Sequence, residues 1–256
     1  MTASADPQAA SNSTAPRLAF GVDPSRPERY SLRQARYAAL ADDIDAWAGE
    51  AARRGQTLSV LDVGCGWGPL LRHLDTKAHF DNIAISAADL KDTIRYRREA
   101  YRDYVIGDLT QGYPEIPSEQ YDVVVCEQVL EHLAALDSAL ATLVRLARPG
   151  GRLAIGVPIF LPPLHLARKH LVPRLPRFVR PDDSTHQQAF SLASFLRELH
   201  KQPSLTVEAV RGFRIVSGGL LRPLENYRWW WRFNRRLGEL LPAACIEVQI
   251  IARKSE

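Results

Sequence analysis

One strand and the turn after it constrain this chain more than any other feature. Residues Leu58–Val63 form a mostly apolar run, which opens directly into Gly64, Gly66 and Gly68. Closely spaced glycines let the backbone turn sharply and approach a ligand where a larger side chain would block it. Asp62 lies two residues before the first glycine. The segment therefore predicts a nucleotide-binding turn at the carboxyl end of a strand.

A second apolar run, at residues 83–88, ends at Asp89, which lies 21 residues after Gly68. An acidic residue about 20 residues beyond such a turn, at the end of the next strand, holds ribose hydroxyls. Asp89 is thus the expected ribose ligand. Asp81, which precedes the strand, competes with it, and either could be a solvated surface aspartate. A single residue separates the last two glycines, and this spacing, with Asp62, favours S-adenosylmethionine over NAD.

Further apolar runs continue the alternation of strands and helices. Strands are predicted at 104–107, 121–126, 152–157, 205–210 and 246–252, and helices at 32–53, 69–74 and 136–147. Near-continuous apolar strands that alternate with helices indicate a parallel sheet buried on both faces. A chain of 256 residues is long enough to bury one such core.

In order and spacing these elements resemble the class I S-adenosylmethionine-dependent methyltransferases, in particular the methyltransferase type 11 and ubiquinone-biosynthesis O-methyltransferase group. The matching segments are 60–68, Asp89, Gly107-Asp108-Leu109, 121–132 and 148–158. The resemblance implies an α/β, doubly wound, Rossmann-like fold with a seven-stranded, mostly parallel sheet and an antiparallel C-terminal strand. Residues 1–28 are expected to be a disordered tail. Residues 29–256 would form the methyltransferase domain, with a substrate-capping insertion at about 159–200.

The resemblance also implies where S-adenosylmethionine binds. Its amino group, methionine part, ribose and adenine would meet successive segments of the sheet edge, with backbone contacts at the glycine turn and after the fourth strand. The expected contacts of the amino group are Asp62, Cys126 and Glu127, and those of the methionine part are Gly64, Cys65, Gly66 and Gly68. The ribose is expected at Asp89, and the adenine near Asp108 and Leu109.

The segment after the fourth strand carries the candidate catalytic groups. In a helical turn, Glu127 and Glu131 lie four residues apart on one face, with His132 beside them. His132 and Glu131 are the expected catalytic residues, with the imidazole facing substrate as a general base. A sulfonium methyl is already electrophilic, so the protein mainly aligns the acceptor and helps to remove the proton of an oxygen acceptor.

The same segment raises the question of a divalent cation, magnesium or manganese. Its ligands would be Glu131, His132 and His186, a set similar to the metal site of ubiquinone-pathway O-methyltransferases and of enzymes that methylate 2′-hydroxyls at small-RNA 3′ ends. This chain departs from that pattern, because Gln128 stands where the first glutamate falls and an amide is a poorer cation ligand. Alternatively, the glutamate caps backbone and the histidine faces substrate without a metal.

The uneven distribution of charged residues along the chain indicates which classes of methyl acceptor suit it. Residues 151–240 contain fifteen Lys and Arg but six Asp and Glu, and basic and aromatic side chains are interleaved in 227–236. Such a pattern suits a lipid headgroup, a phosphorylated acceptor or a nucleic acid. The alternative is an ordinary amphipathic helix with solvated arginines, whose buried stripe would be Trp230, Phe233, Leu237 and Leu241.

We therefore expect O-methylation of a small-molecule or of a lipid- or glycan-linked acceptor, with peripheral membrane contact. A nucleic-acid 2′-O-methyltransferase and a catalytically silent adenosine-binding protein are the alternatives, and the glycine spacing disfavours a nicotinamide-dependent oxidoreductase. Residues 1–16 contain no basic residue and no apolar core, so a signal peptide is not expected. With three widely spaced cysteines, Cys65, Cys126 and Cys245, the chain is expected to be cytoplasmic.

Overall fold

The computed structural model describes residues 32–161, 187–215 and 219–256. Seven strands belong to one sheet. In chain order they are β1 Leu58–Val63, β2 Ile83–Asp89, β3 Tyr104–Ile106, β4 Tyr121–Glu127, β5 Ala147–Pro158, β6 Leu205–Phe213 and β7 Glu247–Lys254. The α-helices of the described residues are α1 Ala35–Arg53, α2 Pro69–Leu74, α3 Leu136–Leu146, α4 Leu192–His200 and α5 Arg228–Leu240.

The strand order in the sheet is β3-β2-β1-β4-β5-β7-β6. Strands β1 to β5 pair in parallel, and β7 runs antiparallel to both of its neighbours, β5 and β6. The expected fold class is therefore confirmed. Because the parallel strands end at the same edge, the glycine turn after β1 lies at one edge of the sheet with the acidic residues at the ends of β2 and β4 and after β3.

Alternate residues of the central strands face opposite helix layers, as the two-residue period of a strand requires. Val60 and Val125 belong to the core beside α1 and α2. Leu61 and Val124 belong to the core beside α3 and α4. Both faces of the sheet are buried, which explains why these strands are apolar on both sides. The predicted helix at 32–53 begins instead as a short 3₁₀ turn, Leu32–Gln34, before α1.

Helix α5 buries a different side from the one that the sequence pattern suggested. Trp230, Asn234 and Gly238 face inward and are buried. A Cβ atom on Gly238 would lie 1.9 Å from the carbonyl oxygen of Gly212, so the helix and β6 touch backbone to backbone. This contact fixes the rotation, and Phe233, 44 % exposed, turns outward. The buried stripe expected at Trp230, Phe233, Leu237 and Leu241 is therefore wrong at Phe233 and also at Leu241, which is 53 % exposed.

Two expected regions lie largely outside the described residues. These are the tail at 1–28 and most of the capping insertion, residues 162–186. The last part of that expected insertion is α4, whose Phe195 and Leu199 are buried in the core. No helix in the described ranges is long and apolar enough to cross a lipid bilayer.

Candidate active site

The glycine turn after β1 is open to a ligand on one side only. Gly64, Gly66 and Gly68 all adopt positive φ angles, 71°, 52° and 96°, which larger residues rarely take. A Cβ atom on Gly64 would lie 2.2 Å from a methyl carbon of Val129, so this glycine packs against the protein. At Gly66 a Cβ atom would meet nothing within 4 Å. The backbone at Gly66 therefore has room for the close approach predicted for the cofactor.

Asp89, at the end of β2, is tied to this turn. Its Oδ2 atom accepts hydrogen bonds from the Gly66 amide at 2.8 Å and from the Thr93 hydroxyl at 3.2 Å, and the Cys65 sulfur lies 3.8 Å away. No described residue donates to its other oxygen, which leaves one carboxylate oxygen for a ribose hydroxyl. Asp81 is exposed in the turn before β2, at the opposite edge of the sheet. Asp89 thus remains the predicted ribose ligand.

Asp62 is a buried carboxylate, 2 % exposed, on the sheet face covered by α1. Its Oδ2 atom has no hydrogen-bond partner among the described residues. Burial, and then the nearby Glu127 and Asp89 carboxylates, raise its pKa to about 8. A buried, unpaired carboxylate oxygen with two further carboxylates nearby forms an environment that favours a cation, such as the amino group expected here.

Tyr101 lies beside the glycine turn and was not singled out in the sequence. Its hydroxyl is buried without a hydrogen-bond partner among the described residues, and it would lie 3.3 Å from a Cβ atom on Gly68. Burial and the negative charge of Asp62 raise its pKa. No motif marks this tyrosine, because it comes from the irregular segment between β2 and β3. Its unpaired hydroxyl adds a polar group at the methionine end of the expected cofactor.

The expected adenine region lies after β3. Asp108 caps a short 3₁₀ turn by accepting hydrogen bonds from the Thr110 amide at 2.8 Å and hydroxyl at 2.7 Å, and Leu109 is buried. Two apolar side chains at the same edge are exposed, Leu90 to 61 % and Ile106 to 54 %. These offer apolar surface to a purine ring. Leu90 was not among the residues predicted from the sequence, although its position directly after Asp89 could have indicated it.

Glu127, at the end of β4, is held in a buried charged network. Its Oε2 atom lies 3.1 Å from Arg36 Nε, and its Oε1 atom accepts a hydrogen bond from Gln249 Nε2 at 2.7 Å. Arg36 also donates to Glu247 at 2.9 Å, and Arg214 donates to the other oxygen of Glu247 at 2.6 Å. Burial raises the pKa of Glu127 to about 7, although Arg36 and Gln249 lower it. The network joins α1 to β4, to β7 and to the residue that follows β6, at the edge of the site.

The helical turn expected to align Glu127 with Glu131 is not formed. Glu127 belongs to the strand, Gln128 has a φ angle of 59°, and a 3₁₀ turn covers only Leu130–His132. The Gln128 amide donates to the Gly156 carbonyl at 2.8 Å, which continues the strand pairing by one residue. Glu127 therefore stays on the sheet face toward α1, apart from the turn. The backbone near Cys126, a buried core residue, still reaches the expected cofactor edge.

Glu131 and His132 do lie together at this turn. The Glu131 carboxylate is buried, and its Oε1 atom is 3.8 Å from His132 Nε2, whose side chain is 39 % exposed. The Oε2 atom of Glu131 has no hydrogen-bond partner among the described residues, and burial raises the pKa of this group to about 7. The Glu131 carbonyl accepts hydrogen bonds from the amides of Gln187 and Gln188, at 2.8 and 2.9 Å. The segment before α4 is thus anchored on the candidate catalytic turn.

The described donors do not fit a metal centre. His186, the third expected ligand, lies outside the described residues. Within them, no group of three or more His, Cys, Asp or Glu side chains could hold a metal ion. What remains at the turn is one carboxylate and one imidazole, with the Gln128 amide in place of a second carboxylate.

Comparison with known proteins gives the family. A family profile described as a methyltransferase domain matches residues 31–202. Ubiquinone biosynthesis O-methyltransferases are among the relatives: that of Pseudomonas savastanoi pv. phaseolicola is 32 % identical over 115 residues, 43 % of this chain and 46 % of that protein. The Methylococcus capsulatus protein of the same name is 35 % identical over 99 residues, 36 % and 39 % of the two chains. The chain thus spans less than half the length of these curated relatives.

Solved structures support the fold. A putative methyltransferase from Bacillus halodurans has a TM-score of 0.52 at 17 % identity, with 78 % of this chain and 94 % of that chain covered. A chain from the complex of the Haloferax volcanii Trm112 methyltransferase activator with a putative methyltransferase has a TM-score of 0.52 at 16 % identity, with 89 % and 99 % covered. Because the family profile matches most of the chain and the sheet has the expected order, the chain belongs to the methyltransferase domain family.

Proposed function

We propose that this chain is an S-adenosylmethionine-dependent methyltransferase that methylates a hydroxyl oxygen of a small or lipid-linked acceptor, with His132 as the general base and the Glu131 carboxylate beside the imidazole. The observation that carries the proposal is the pairing of a fully buried carboxylate with a part-exposed histidine, 3.8 Å apart, at the carboxyl end of β4. Such a pair suits proton removal from an acceptor that approaches from solvent.

The cofactor residues support the same reaction. S-adenosylmethionine supplies an electrophilic sulfonium methyl group, which needs no activation by the protein. Asp62 would hold its amino group, the open backbone at Gly66 its methionine part and Asp89 its ribose. Leu90 and Leu109 would flank the adenine, near Asp108. These contacts would fix the direction from which an acceptor must approach the methyl group.

In the transfer, a bond forms between the acceptor oxygen and the methyl carbon as the bond between that carbon and sulfur breaks. The hydroxyl proton passes to the His132 imidazole. The resulting imidazolium lies beside the Glu131 carboxylate, whose negative charge stabilises it.

The relatives support the acceptor class. Those reported above are named ubiquinone biosynthesis O-methyltransferases, and a phenolic hydroxyl on an apolar molecule is the simplest acceptor consistent with that name. The chain's exposed basic and aromatic side chains agree with an amphipathic acceptor. A nucleic-acid 2′-hydroxyl is the alternative that the acceptor assay has to separate.

The test is an acceptor panel with the His132→Asn variant. Catechols and phenols with and without isoprenoid tails are compared with RNA oligonucleotides ending in a 2′-hydroxyl. We expect turnover with a phenolic acceptor, and a loss in kcat of about 100-fold or more for His132→Asn with unchanged S-adenosylhomocysteine affinity. His200→Asn, an exposed histidine at the end of α4, is the matched control.

Several outcomes would contradict the proposal. Turnover of RNA alone would establish the nucleic-acid alternative, and cofactor binding without turnover of any acceptor would indicate a silent protein. Retention of kcat in His132→Asn would remove the histidine from the reaction. Loss of activity on chelation, with recovery on adding Mg²⁺ or Mn²⁺ and loss in His186→Ala, would replace the proposed base with a metal centre at Glu131, His132 and His186.

A further inference from the structure

The outward face of α5 is apolar, which is unusual for a helix at a protein surface. Trp229, Phe233 and Leu240 are 58 %, 44 % and 75 % exposed. Their spacing, at positions i, i+4 and i+11 of the helix, places them along one line on its outer side. The opposite side is fixed against β6 by the backbone contact at Gly238, so this ridge cannot turn inward. We call these three residues the α5 ridge.

The segment before the helix extends the apolar character. In the 3₁₀ segment Gly219–Asn226, Leu220 is 99 % exposed and Leu221 is 37 % exposed. Tyr227, which precedes the first residue of α5, is 52 % exposed. Large apolar side chains that are exposed together, in one stretch of chain, mark a surface for a partner or a membrane rather than scattered surface residues.

Two arginines flank the α5 ridge on the same helix. Arg232 and Arg236 are exposed, and neither forms an ion pair within the described residues. Glu239, the acidic residue of this helix, lies 3.5 Å from Arg235. The outward face therefore presents apolar and aromatic side chains with an excess of positive charge. Tryptophan and tyrosine side chains favour the membrane–water interface, and arginines favour anionic headgroups.

Helix α5, which carries the ridge, also lies at the sheet edge where the candidate active site is found. Helix α5 connects the end of β6 to the start of β7, and both of these points are at the edge where β1 and β4 end. Arg235 donates to the carbonyl of Ala35, at the start of α1, at 3.4 Å, so α5 is fixed beside the helix that covers the cofactor residues. A membrane on this ridge would lie near the acceptor side of the enzyme.

We propose that the α5 ridge, with Arg232 and Arg236, docks the enzyme on anionic lipid bilayers. The aromatic and leucine side chains enter the headgroup region, and the two guanidinium groups bind lipid phosphates. This orientation gives the site access to acceptors that are dissolved in the bilayer. The binding needs neither cofactor nor acceptor, so it can be tested apart from the methyl transfer.

The test is flotation of the full chain with large vesicles. Vesicles of phosphatidylcholine are compared with vesicles that also contain about 30 mol % phosphatidylglycerol. We expect binding to the anionic vesicles, weakened by raised salt. Trp229→Ala/Phe233→Ala is expected to lose binding at least tenfold, because the apolar contact is removed. Arg232→Ala/Arg236→Ala is expected to weaken vesicle binding about 25-fold, roughly fivefold for each arginine.

The matched control is Arg53→Ala/Arg54→Ala, which removes two exposed arginines at the end of α1, next to the start of β1 and thus at the opposite edge of the sheet. It should bind vesicles as the unaltered chain does. S-adenosylhomocysteine affinity, measured on each variant, shows that the fold and cofactor site are intact. Equal binding to neutral and anionic vesicles, no vesicle binding, or equal losses in the control would overturn the proposal. A dimer that dissociates in Trp229→Ala/Phe233→Ala, without vesicle binding, would assign the ridge to a second copy.

Discussion

Glu127 on β4 and Gly156 on β5 face each other in the parallel ladder, and the glycine leaves the space that the glutamate carboxylate fills. A Cβ atom on Gly156 would lie 2.1 Å from Glu127 Oε2. A glycine inside a strand often marks such a close approach. Here the missing side chain lets Glu127 reach Arg36 and Gln249, and so lets β4 connect to α1 and β7.

Gly156→Ala should therefore destabilise the protein by about 1 to 3 kcal/mol, because the methyl group and the carboxylate cannot share this space. The free energy of unfolding, measured by denaturant titration, checks the magnitude. If the loss arises from Glu127, adding Gly156→Ala to a Glu127→Ala background should cost much less. Equal costs in the two backgrounds would show that the glutamate is not what the glycine accommodates.

Cofactor affinity should depend strongly on Asp89. Asp89→Ala is expected to weaken S-adenosylhomocysteine binding by more than tenfold, since it removes the proposed ribose contact and the hydrogen bond that holds the Gly66 amide. Glu131→Ala should lose less affinity for S-adenosylhomocysteine. Asp81→Ala, which changes an exposed residue and serves as the control, should bind it as the unaltered chain does. Calorimetric titration gives all three affinities. Equal losses for Asp89→Ala and Glu131→Ala would remove Asp89 as the ribose ligand.

Cofactor binding near pH 7 should release a proton from Asp62. In the unliganded protein its pKa is about 8, so the carboxyl is mostly protonated at that pH. A bound ammonium group lowers the pKa and drives the proton off. Titration calorimetry in buffers with different ionisation enthalpies measures the release, which Asp62→Asn should remove and Asp81→Asn should retain. Proton uptake, or an unchanged release in Asp62→Asn, would contradict this assignment.

The same group should make the unliganded protein less stable as pH rises. The folded-state pKa of Asp62, about 8, lies above the value of about 3.9 in an unfolded chain, so folding favours the protonated form. Its contribution is complete below about pH 4 and is lost as pH rises toward 8. We therefore compare the thermal-unfolding midpoints of Asp62→Asn and of the unaltered chain. The midpoint of the variant, relative to that of the unaltered chain, should increase from pH 4 to 8 and then level off. A constant difference across this range would show that Asp62 does not titrate there.

Much of the fold could be predicted from the sequence, because its signals are local. The apolar runs and glycine turn placed β1, β2 and α2 to within one residue, and the order of strands with helices predicted the doubly wound sheet. The rotation of α5 could not be predicted in this way. It depends on a backbone contact between Gly238 and Gly212, 26 residues apart, whereas the pattern of large apolar residues suggested a different buried stripe.

The candidate site likewise contains residues that local sequence signals predict and residues that they do not. Asp62, the glycines and Asp89 follow directly from strand ends, so spacing alone brings them to one edge. The partners of Glu127 come from distant segments: Arg36 lies on the first turn of α1 and Gln249 on the last strand. No local motif links these three residues, and the helical turn assumed for 127–132 gave Glu127 a different neighbour. Only the packing of α1 on the sheet brings the charged groups together.

The most direct test of the account is thermal unfolding of the full chain with S-adenosylhomocysteine, with NADH as the control. At a hundred times its dissociation constant a ligand stabilises the folded state by about 2.7 kcal/mol, which should raise the midpoint by roughly 5 to 10 °C for a chain of this size. We predict this rise with S-adenosylhomocysteine, none with NADH, and a much smaller rise in Asp89→Ala. No shift with S-adenosylhomocysteine, or a shift with NADH alone, would contradict the assignment of the glycine turn, Asp62 and Asp89 to S-adenosylmethionine.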